Sequence, residues 1–312
     1  MIQDIAQQAL HLHVVYACDG RYAMPLATAM RSLADSNVPS WPIKVFALAS
    51  DVGRDVQRAI EDSLPAGAIE LSWVPVALDL FKDYTTLRHV SQVTYARLLM
   101  PLLLPPHIRR VLYLDSDTLV MGSLADLWSV SLDGMALGAV PDALIADPHL
   151  GLLSHERWTI ALPSHLDAAH GVENYFNAGV LLVDLDEWRA RQITQRAIEF
   201  LERHPQSPFS DQDALNVACV GSWKVLDAHW NFQPHLALKL DALPEEQRPR
   251  IVHFVTSAKP WLPSVRHPGA AVYDAVRAKT RFARSRTERV VGWSQWWASG
   301  IRNGVRRLLQ RA

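Results

Sequence analysis

The run Arg109–Arg110–Val111–Leu112–Tyr113–Leu114–Asp115–Ser116–Asp117 constrains this chain more than any other. Its apolar centre reads as a buried parallel strand, and open α/β sheets gather their ligands at the carboxyl ends of such strands. Positions i and i+2 of extended backbone point to one side, which would let Asp115 and Asp117 grip one ion. Oxygen donors and negative charge suit a hard divalent cation, which in turn holds phosphates. The plainer alternative is a strand followed by a polar turn, so the rest of the chain has to decide.

Around this run the sequence alternates as a doubly wound α/β sheet does. Strands are expected at Leu12–Ala17, Ile43–Ala49, Ile69–Val74 and Val111–Asp115, with further strands at Ala136–Val140, Gly179–Asp184 and Ile251–Phe254. Helical periodicity marks Met24–Ala34, Asp51–Leu64 and Ser91–Leu103, then Asp186 to about Arg203 and Asp211–Val220. Asp51 is the expected N-cap of the second helix, and Pro105–Pro106 should stop the third.

The chain has 312 residues, enough for one large α/β domain or two modest ones. Its two cysteines, Cys18 and Cys219, supply neither a disulfide framework nor a cysteine zinc cluster, which fits a reducing, cytoplasmic setting. Met1–Leu12 does not read as a signal peptide, and no stretch approaches the roughly 20 apolar residues that cross a bilayer.

A net charge of −1 hides an asymmetry. Residues 277–312 hold ten Lys/Arg and one acid, a local charge of +9, whereas residues 1–276 carry −10. The chain is therefore divided into a body, 1–276, and a basic tail, 277–312. In the tail Val290, Trp293, Trp297, Ile301, Val305 and Leu308 recur at three- and four-residue steps, with Arg302, Arg306, Arg307 and Arg311 mostly off that stripe. Tryptophans beside a cationic face suit the headgroups of an anionic membrane, so a peripheral position on the inner membrane surface is expected; a helix packed on the protein's own body is the alternative. Nucleic acid is disfavoured because the body is acidic.

Five segments carry chemistry. Ala17–Cys18–Asp19–Gly20–Arg21–Tyr22 follows the first strand, where nucleotide sites of α/β folds lie, although it lacks a Gly-rich phosphate fingerprint. Asp19 could bond a base and Tyr22 stack on it, or the two could be a cap and a packing residue. Thr94–Tyr95–Ala96–Arg97–Leu98 places Arg97 inside a helix leading toward the Asp115 strand, where by itself it reads as an ordinary solvated helix charge. The third segment is the Asp115/Asp117 pair. The fourth joins Tyr175–Leu182 to Ser210–Asp211–Gln212–Asp213, where Asn177, Gly179, Asp211 and Gln212 stand ready for sugar hydroxyls or for capping. In the fifth, His253 leaves a short strand six residues before Lys259; imidazole joins carboxylates as a metal ligand, and a lysine meets a diphosphate as a point charge.

In this order the segments resemble the family 8 retaining glycosyltransferases, near the bacterial galactosyltransferases of lipopolysaccharide and lipooligosaccharide assembly, with glycogenin more distant. The resemblance runs from about Leu12 to Trp261 and rests on Tyr-Phe-Asn-Ala-Gly-Val-Leu-Leu, Ser-Asp-Gln-Asp-Ala-Leu-Asn and His-Phe followed by Lys-Pro-Trp. It implies a GT-A nucleotide-diphospho-sugar transferase fold with a mostly parallel central sheet flanked by helices. It implies further that Asp115, Asp117 and His253 ligate Mn2+, with Mg2+ as the alternative ion, beneath the diphosphate of a UDP-hexose. Ala17, Asp19 and Tyr22 match positions that hold the uridine. Asp115 and Ser116 belong with the donor contacts, Arg97, Asn177, Gly179, Asp211 and Gln212 lie around the transferred sugar, and Lys259 matches a phosphate contact. Arg97, Asp211 and Gln212 are the residues expected nearest the chemistry. Gly20 and Arg21 depart from the family's usual acidic or asparagine residue, and Thr256 replaces its usual glycine.

The expected activity is retaining transfer of galactose or glucose to an oligosaccharide or glycolipid acceptor of the lipopolysaccharide core type. Gln212 is a poor nucleophile, which favours front-side attack by the acceptor hydroxyl. Two rivals stand. Leu-Asp-Ser-Asp-Thr also fits the nucleophile strand of haloacid-dehalogenase-like phosphatases, with Asp115 as nucleophile. A membrane-tethered sugar-nucleotide-binding module of weak activity is the other. The long segment Val76–Val90 could fold over the donor and form part of the acceptor site, with Tyr84 or His89 facing a sugar, or be a surface connection without a role.

Overall fold

The computed structural model describes residues 11–36, 42–84, 91–142, 166, 171–172, 174–233, 248–263, 265, 267–285 and 288. Nine strands run in chain order: β1 Leu12–Asp19, β2 Ile43–Ser50, β3 Ile69–Pro75, β4 Arg110–Asp115, β5 Thr118–Val120, β6 Leu137–Pro141, β7 Phe176–Asp184, β8 Trp223–Val225 and β9 Ile251–His253. Seven form one sheet of order β3-β2-β1-β4-β7-β6-β8, while β5 and β9 pair apart from it. β1 lies parallel to β2 and β4, β2 to β3, and β6 to β8; β7 runs antiparallel to both of its neighbours. The expected mostly parallel sheet is present.

Two pairings carry distant residues to the end of β4. Because β7 is antiparallel to β4 with Leu114 opposite Val180, the start of β7 lies beside the finish of β4. Asn177 and Gly179 therefore reach Asp115 rather than the far edge of the molecule. The short β5–β9 ladder sets Thr118 opposite His253, which brings a residue from late in the chain next to the turn after β4.

The central strands are buried on both faces, as their near-continuous apolar runs require. In β4, Val111 and Tyr113 enter one core while Leu112 and Leu114 enter the other; in β7, Leu181 and Val183 are matched by Val180 and Leu182 in the same way. Helix α1, Ala23–Ser36, lays Leu26, Ala27, Met30 and Leu33 into the second core at helical spacing. Each such leucine or methionine, fully removed from water, stabilises the fold by roughly 1.5–3 kcal/mol.

Several boundaries differ from expectation, each for a local reason. Helix α2 spans only Arg54–Glu61, and its N-cap is Gly53; Asp51 instead takes a left-handed φ of 54°, which aspartate tolerates better than most residues. The expected helix Ser91–Leu103 is a 3-10 run, Gln92–Leu99, followed by α3, Met100–Leu103. Pro101 has no N–H to continue an α-helical ladder, and the Met100 N–H bonds the Arg97 carbonyl one residue closer than an α-helix would. Leu104 is extended before Pro105, as a residue preceding proline must be.

After α4, Ala125–Trp128, the expected helix from Asp186 is two. These are α5, Leu185–Ala190, capped by the Asp184 carboxylate, and α6, Ile193–Arg203, separated by Gln192 at φ 53°. Helix α7 spans Asp211–Ala218 and α8 Ala270–Arg277. β5, β8, α4 and α8 were not legible in the sequence.

The first residues of the basic tail lie against the acidic body: Lys279 pairs with Asp35 at 2.7 Å, Arg281 with Asp62 at 3.4 Å and Arg284 with Asp274 at 2.9 Å. The tryptophan stripe from Val290 to Leu308 lies outside the described residues. Among the described residues no helix is long and apolar enough to cross a membrane.

Asn216 clamps the start of β7, its Oδ1 accepting from Phe176 N at 2.8 Å and its Nδ2 donating to Phe176 O at 2.9 Å. An Asn216→Ala variant leaves both buried backbone groups unpaired and is expected to lose about 2–4 kcal/mol in urea unfolding; an unchanged midpoint would overturn this account.

Candidate functional site

β4 delivers Asp115 to the carboxyl edge of the sheet, and the chain then turns tightly. Ser116 Oγ donates to the Ala17 carbonyl at 2.7 Å and Thr118 Oγ1 to the Asp115 carbonyl at 2.8 Å, tying the turn to β1 and closing it. Asp117 sits in this turn, not on extended backbone as the i, i+2 argument assumed. The turn nevertheless aims it inward. Asp115, Asp117 and His253 each offer one ligand atom, all within 4.8 Å of one another. His253 Nε2 stands 3.2 Å from Asp117 Oδ1 and 3.7 Å from Asp115 Oδ2.

The far atom of each group is held from behind. Asp115 Oδ1 accepts from Arg97 Nη2 at 2.7 Å and from the Tyr113 hydroxyl at 2.8 Å. Asp117 Oδ2 accepts from Lys259 Nζ at 2.6 Å. His253 Nδ1 lies 3.1 Å from Asn231 Oδ1, an acceptor whose orientation follows from Asn231 Nδ2 donating to Asn177 Oδ1 at 2.9 Å. Asn231 thus makes Nδ1 the donor on that side of the ring, and Nε2 faces the two acids, where it donates to Asp117 or, with a cation between them, would ligate it. Two carboxylate oxygens and one imidazole nitrogen form a donor set that fits a divalent cation. Burial favours a protonated Asp117, yet Lys259 and His253 outweigh it and hold this carboxyl well below the usual range.

Gly179 makes the convergence sterically feasible. A Cβ there would stand 2.1 Å from His253 Cε1 and 2.7 Å from Asp115 Oδ2. No side chain fits.

A cavity of about 380 Å³ opens over this cluster, lined by Ala17, Tyr22, Arg97, Ser116, Asn177, Asp211, Gln212 and Lys259 among others. On one side Arg97, 5% exposed, donates to the Ala178 carbonyl at 2.6 Å and to Thr94 Oγ1 at 2.9 Å besides Asp115. Its Nε lies 2.9 Å from Asp211 Oδ2, but that N–H is directed at the Thr94 carbonyl, so Asp211 Oδ2 is buried without a hydrogen bond. Burial raises the Asp211 carboxyl above its ordinary value, with Arg97 and the Thr94 hydroxyl pulling the other way. Asp211 follows Ser210, whose φ of 53° and ψ of −118° bend the chain into α7.

Gln212 is tied at both ends. Its Oε1 accepts from Ala178 N at 3.0 Å and its Nε2 donates to Asp142 Oδ2 at 2.9 Å, which Asn177 Nδ2 also reaches at 2.9 Å. A continuous chain of amides and acids thus runs from His253 through Asn231, Asn177 and Asp142 to Gln212.

At the other end of the cavity Tyr22 meets Trp261 edge-on, with ring centroids 6.2 Å apart. Asp19 is differently disposed. Its carboxylate accepts from the backbone N–H groups of Arg21 and Tyr22, from the Arg21 guanidinium and from Ser91 Oγ at 2.5 Å, and it is not among the lining residues. Thr256 lines the cavity, its hydroxyl accepting from Ala258 N. In the Val76–Val90 segment, Phe81 stacks on Tyr95 at 4.8 Å and Tyr84 packs edge-on at 6.1 Å; Thr85, Arg88 and His89 lie outside the described residues.

Sequence reasoning missed Tyr113, Thr94, Asp142 and Asn231. Tyr113 reads as one more core residue of a strand, and Asp142 and Asn231 carry no local signature. Only the pairing of β6 with β7, and the bridge from Phe232 to Val252 of β9, bring them to the site.

A Gly179→Ala variant is expected to lose about 1–3 kcal/mol of stability through overpacking and to bind a divalent cation, probed with Mn2+, at least about tenfold more weakly, since the ligand-orienting contacts must shift. Calorimetric Mn2+ titration beside urea unfolding checks this; an intact metal affinity would remove the steric account.

Comparison with known proteins agrees with the geometry. The family model described as Glycosyl transferase family 8 matches residues 13–264. General stress protein A of Bacillus subtilis is 27% identical over 271 residues, covering 82% of this chain and 90% of that one. The lipopolysaccharide 1,3-galactosyltransferase of Salmonella typhimurium is 24% identical over 255 residues, covering 80% and 72%. Some matched relatives are longer: the chain spans 56% of the glycosyltransferase GlyF of Streptococcus pneumoniae. The galactosyltransferase LgtC, solved with donor and acceptor sugar analogues, superposes with a TM-score of 0.72 at 26% identity, covering 89% of this chain and 99% of that one. A GT-A sheet with a cluster of two acids and a histidine at its carboxyl edge, matched by a family model over most of its length, identifies this chain as a member of glycosyl transferase family 8.

Proposed function

We propose that this glycosyltransferase moves a hexose, galactose or glucose, from a UDP-sugar to a saccharide acceptor with retention at the anomeric carbon. The observation that carries the reading is the convergence of Asp115, Asp117 and His253 at the floor of a cavity that also holds Lys259. The donor set of two oxygens and one nitrogen favours Mn2+ over Mg2+. When bound, the ion supplies a Lewis acid for the diphosphate leaving group. The phosphatase alternative is set aside by the family.

The chain's own residues supply the rest. Lys259 brings a second positive charge to the leaving diphosphate. Asp211, which lines the cavity with its Oδ2 buried 2.9 Å from Arg97 Nε, stands beside the transferred sugar and holds Arg97 in place there. Gln212, held by Asp142 and by Ala178 N, positions the sugar and is not free to attack it. The acceptor hydroxyl therefore attacks from the face that UDP leaves: the new C–O bond forms as the bond to phosphate breaks, and the hydroxyl proton passes to the departing phosphate oxygen. Tyr22 and Ala17 serve the uridine. Asp19 serves it only after its Arg21 pairing opens, or else acts through the turn it caps.

The acceptor is read as a lipopolysaccharide-core oligosaccharide or related glycolipid, supported by the likeness to the Salmonella enzyme and by the basic tail. The tail is read as a contact to an anionic membrane on the cytoplasmic face.

Screening UDP-galactose, UDP-glucose and UDP-N-acetylglucosamine for Mn2+-dependent hydrolysis tests the donor. Asp115→Ala or Asp117→Ala should lower turnover by at least about two orders of magnitude, with Gln212→Ala merely slower; near-normal turnover in Asp117→Ala sinks the metal role. Donor binding without hydrolysis by the native chain would favour a weak binding module. Removing residues 289–312 should release the protein from anionic vesicles and spare donor hydrolysis; retained vesicle binding would remove the membrane role of the tail.

A further inference from the structure

Lys259 is expected to meet the donor's diphosphate, yet its ammonium already has partners. Nζ lies 2.6 Å from Asp117 Oδ2 and donates as well to the Phe254 carbonyl. Lys259 is 5% exposed and Asp117 9%, so water does little to weaken their attraction. Asp117 thus divides its charge: Oδ1 faces the His253 imidazole at 3.2 Å, inside the candidate cation site, while Oδ2 is spent on the lysine.

Asp115, Asp117, Asp142 and Asp211 bring their carboxylates to the cavity, and among its lining residues Arg97 and Lys259 carry the answering positive charges. Arg97 is turned to Asp115 and Asp211, whereas Lys259 sits on the carboxylate that faces the candidate cation site. A cation entering beside Asp117 therefore meets the like charge of the ammonium at close range.

We propose that Lys259 is an internal counter-ion that couples metal binding to donor binding. Paired with Asp117, it weakens the hold of the empty enzyme on a divalent cation. As a diphosphate arrives, the ammonium shifts its allegiance from Asp117 Oδ2 to a phosphate oxygen, staying tethered by the Phe254 carbonyl, and Asp117 gives its full charge to the cation. Metal and nucleotide then favour each other by one common factor, as linkage requires. This inference rests on the reading of Asp115, Asp117 and His253 as the cation site.

The test is Mn2+ binding to the full chain, read from the electron paramagnetic resonance of free Mn2+, with and without UDP. In the native protein UDP should tighten Mn2+ by at least tenfold. Lys259→Met and Lys259→Gln, each checked for fold by circular dichroism, should bind Mn2+ alone several-fold to tenfold more tightly than the native protein, with a smaller effect of UDP; Lys259→Arg should keep the native linkage. Neutral variants that hold Mn2+ alone no more tightly than the native chain would overturn the counter-ion role and leave the site itself intact. A native protein that binds no Mn2+, with or without UDP, would overturn the metal reading and this inference with it.

Discussion

Arg97 carries its charge into a place from which water is excluded, and three stretches of chain are arranged around it. Its guanidinium reaches Asp115 at the end of β4, the Ala178 carbonyl on β7 and Thr94 on its own 3-10 turn, with Asp211 of α7 alongside. The face of Tyr113 lies 4.7 Å beneath it. Burial would lower the affinity of this group for its proton, but Asp115 and Asp211 more than offset that, so it remains a fixed cation. Buried ion pairs are seldom a net gain in stability over apolar side chains, whereas losing one partner strands the others at high cost. The arrangement is better understood as a device for holding two acids at set positions.

The sheet supplies what Arg97 then locks. A wholly parallel sheet would send every strand's carboxyl end to one edge and leave the amino end of β7 on the opposite side. Running β7 backwards between β4 and β6 brings Asn177, Ala178 and Gly179 to the same edge as Asp115. The three-residue ladder of β5 and β9 adds His253. Few backbone hydrogen bonds thus do much of the positioning, and the surrounding cores keep them in register.

The long strands and α1 were legible because apolar periodicity extends over eight or more residues in each. Apart from α8, what escaped was short or set by a single residue. The three-residue strands β5 and β8 hold too little pattern, unlike the apolar run at β9, and the break at Gln192 depends on one left-handed φ that the sequence does not announce. Asp51 looked like a cap, but the helix began three residues later. In the site, the acids, the histidine and the lysine were legible because their residue types are rare in that order. Asn231 and Asp142 were not, since a buried amide or acid earns its role only from neighbours far away in the chain.

The run of amides from His253 to Gln212 has one self-consistent orientation. Gly179 N and Asn231 Nδ2 require Asn177 to present oxygen to them, and Asp142 requires nitrogen from both Asn177 and Gln212. Turning any member over would set donor against donor or oxygen against oxygen along the whole row. The His253 imidazole and the Gln212 carboxamide are consequently two ends of one polarity, written once when the chain folds. Any substitution along the row would have to preserve that polarity or rebuild it end to end.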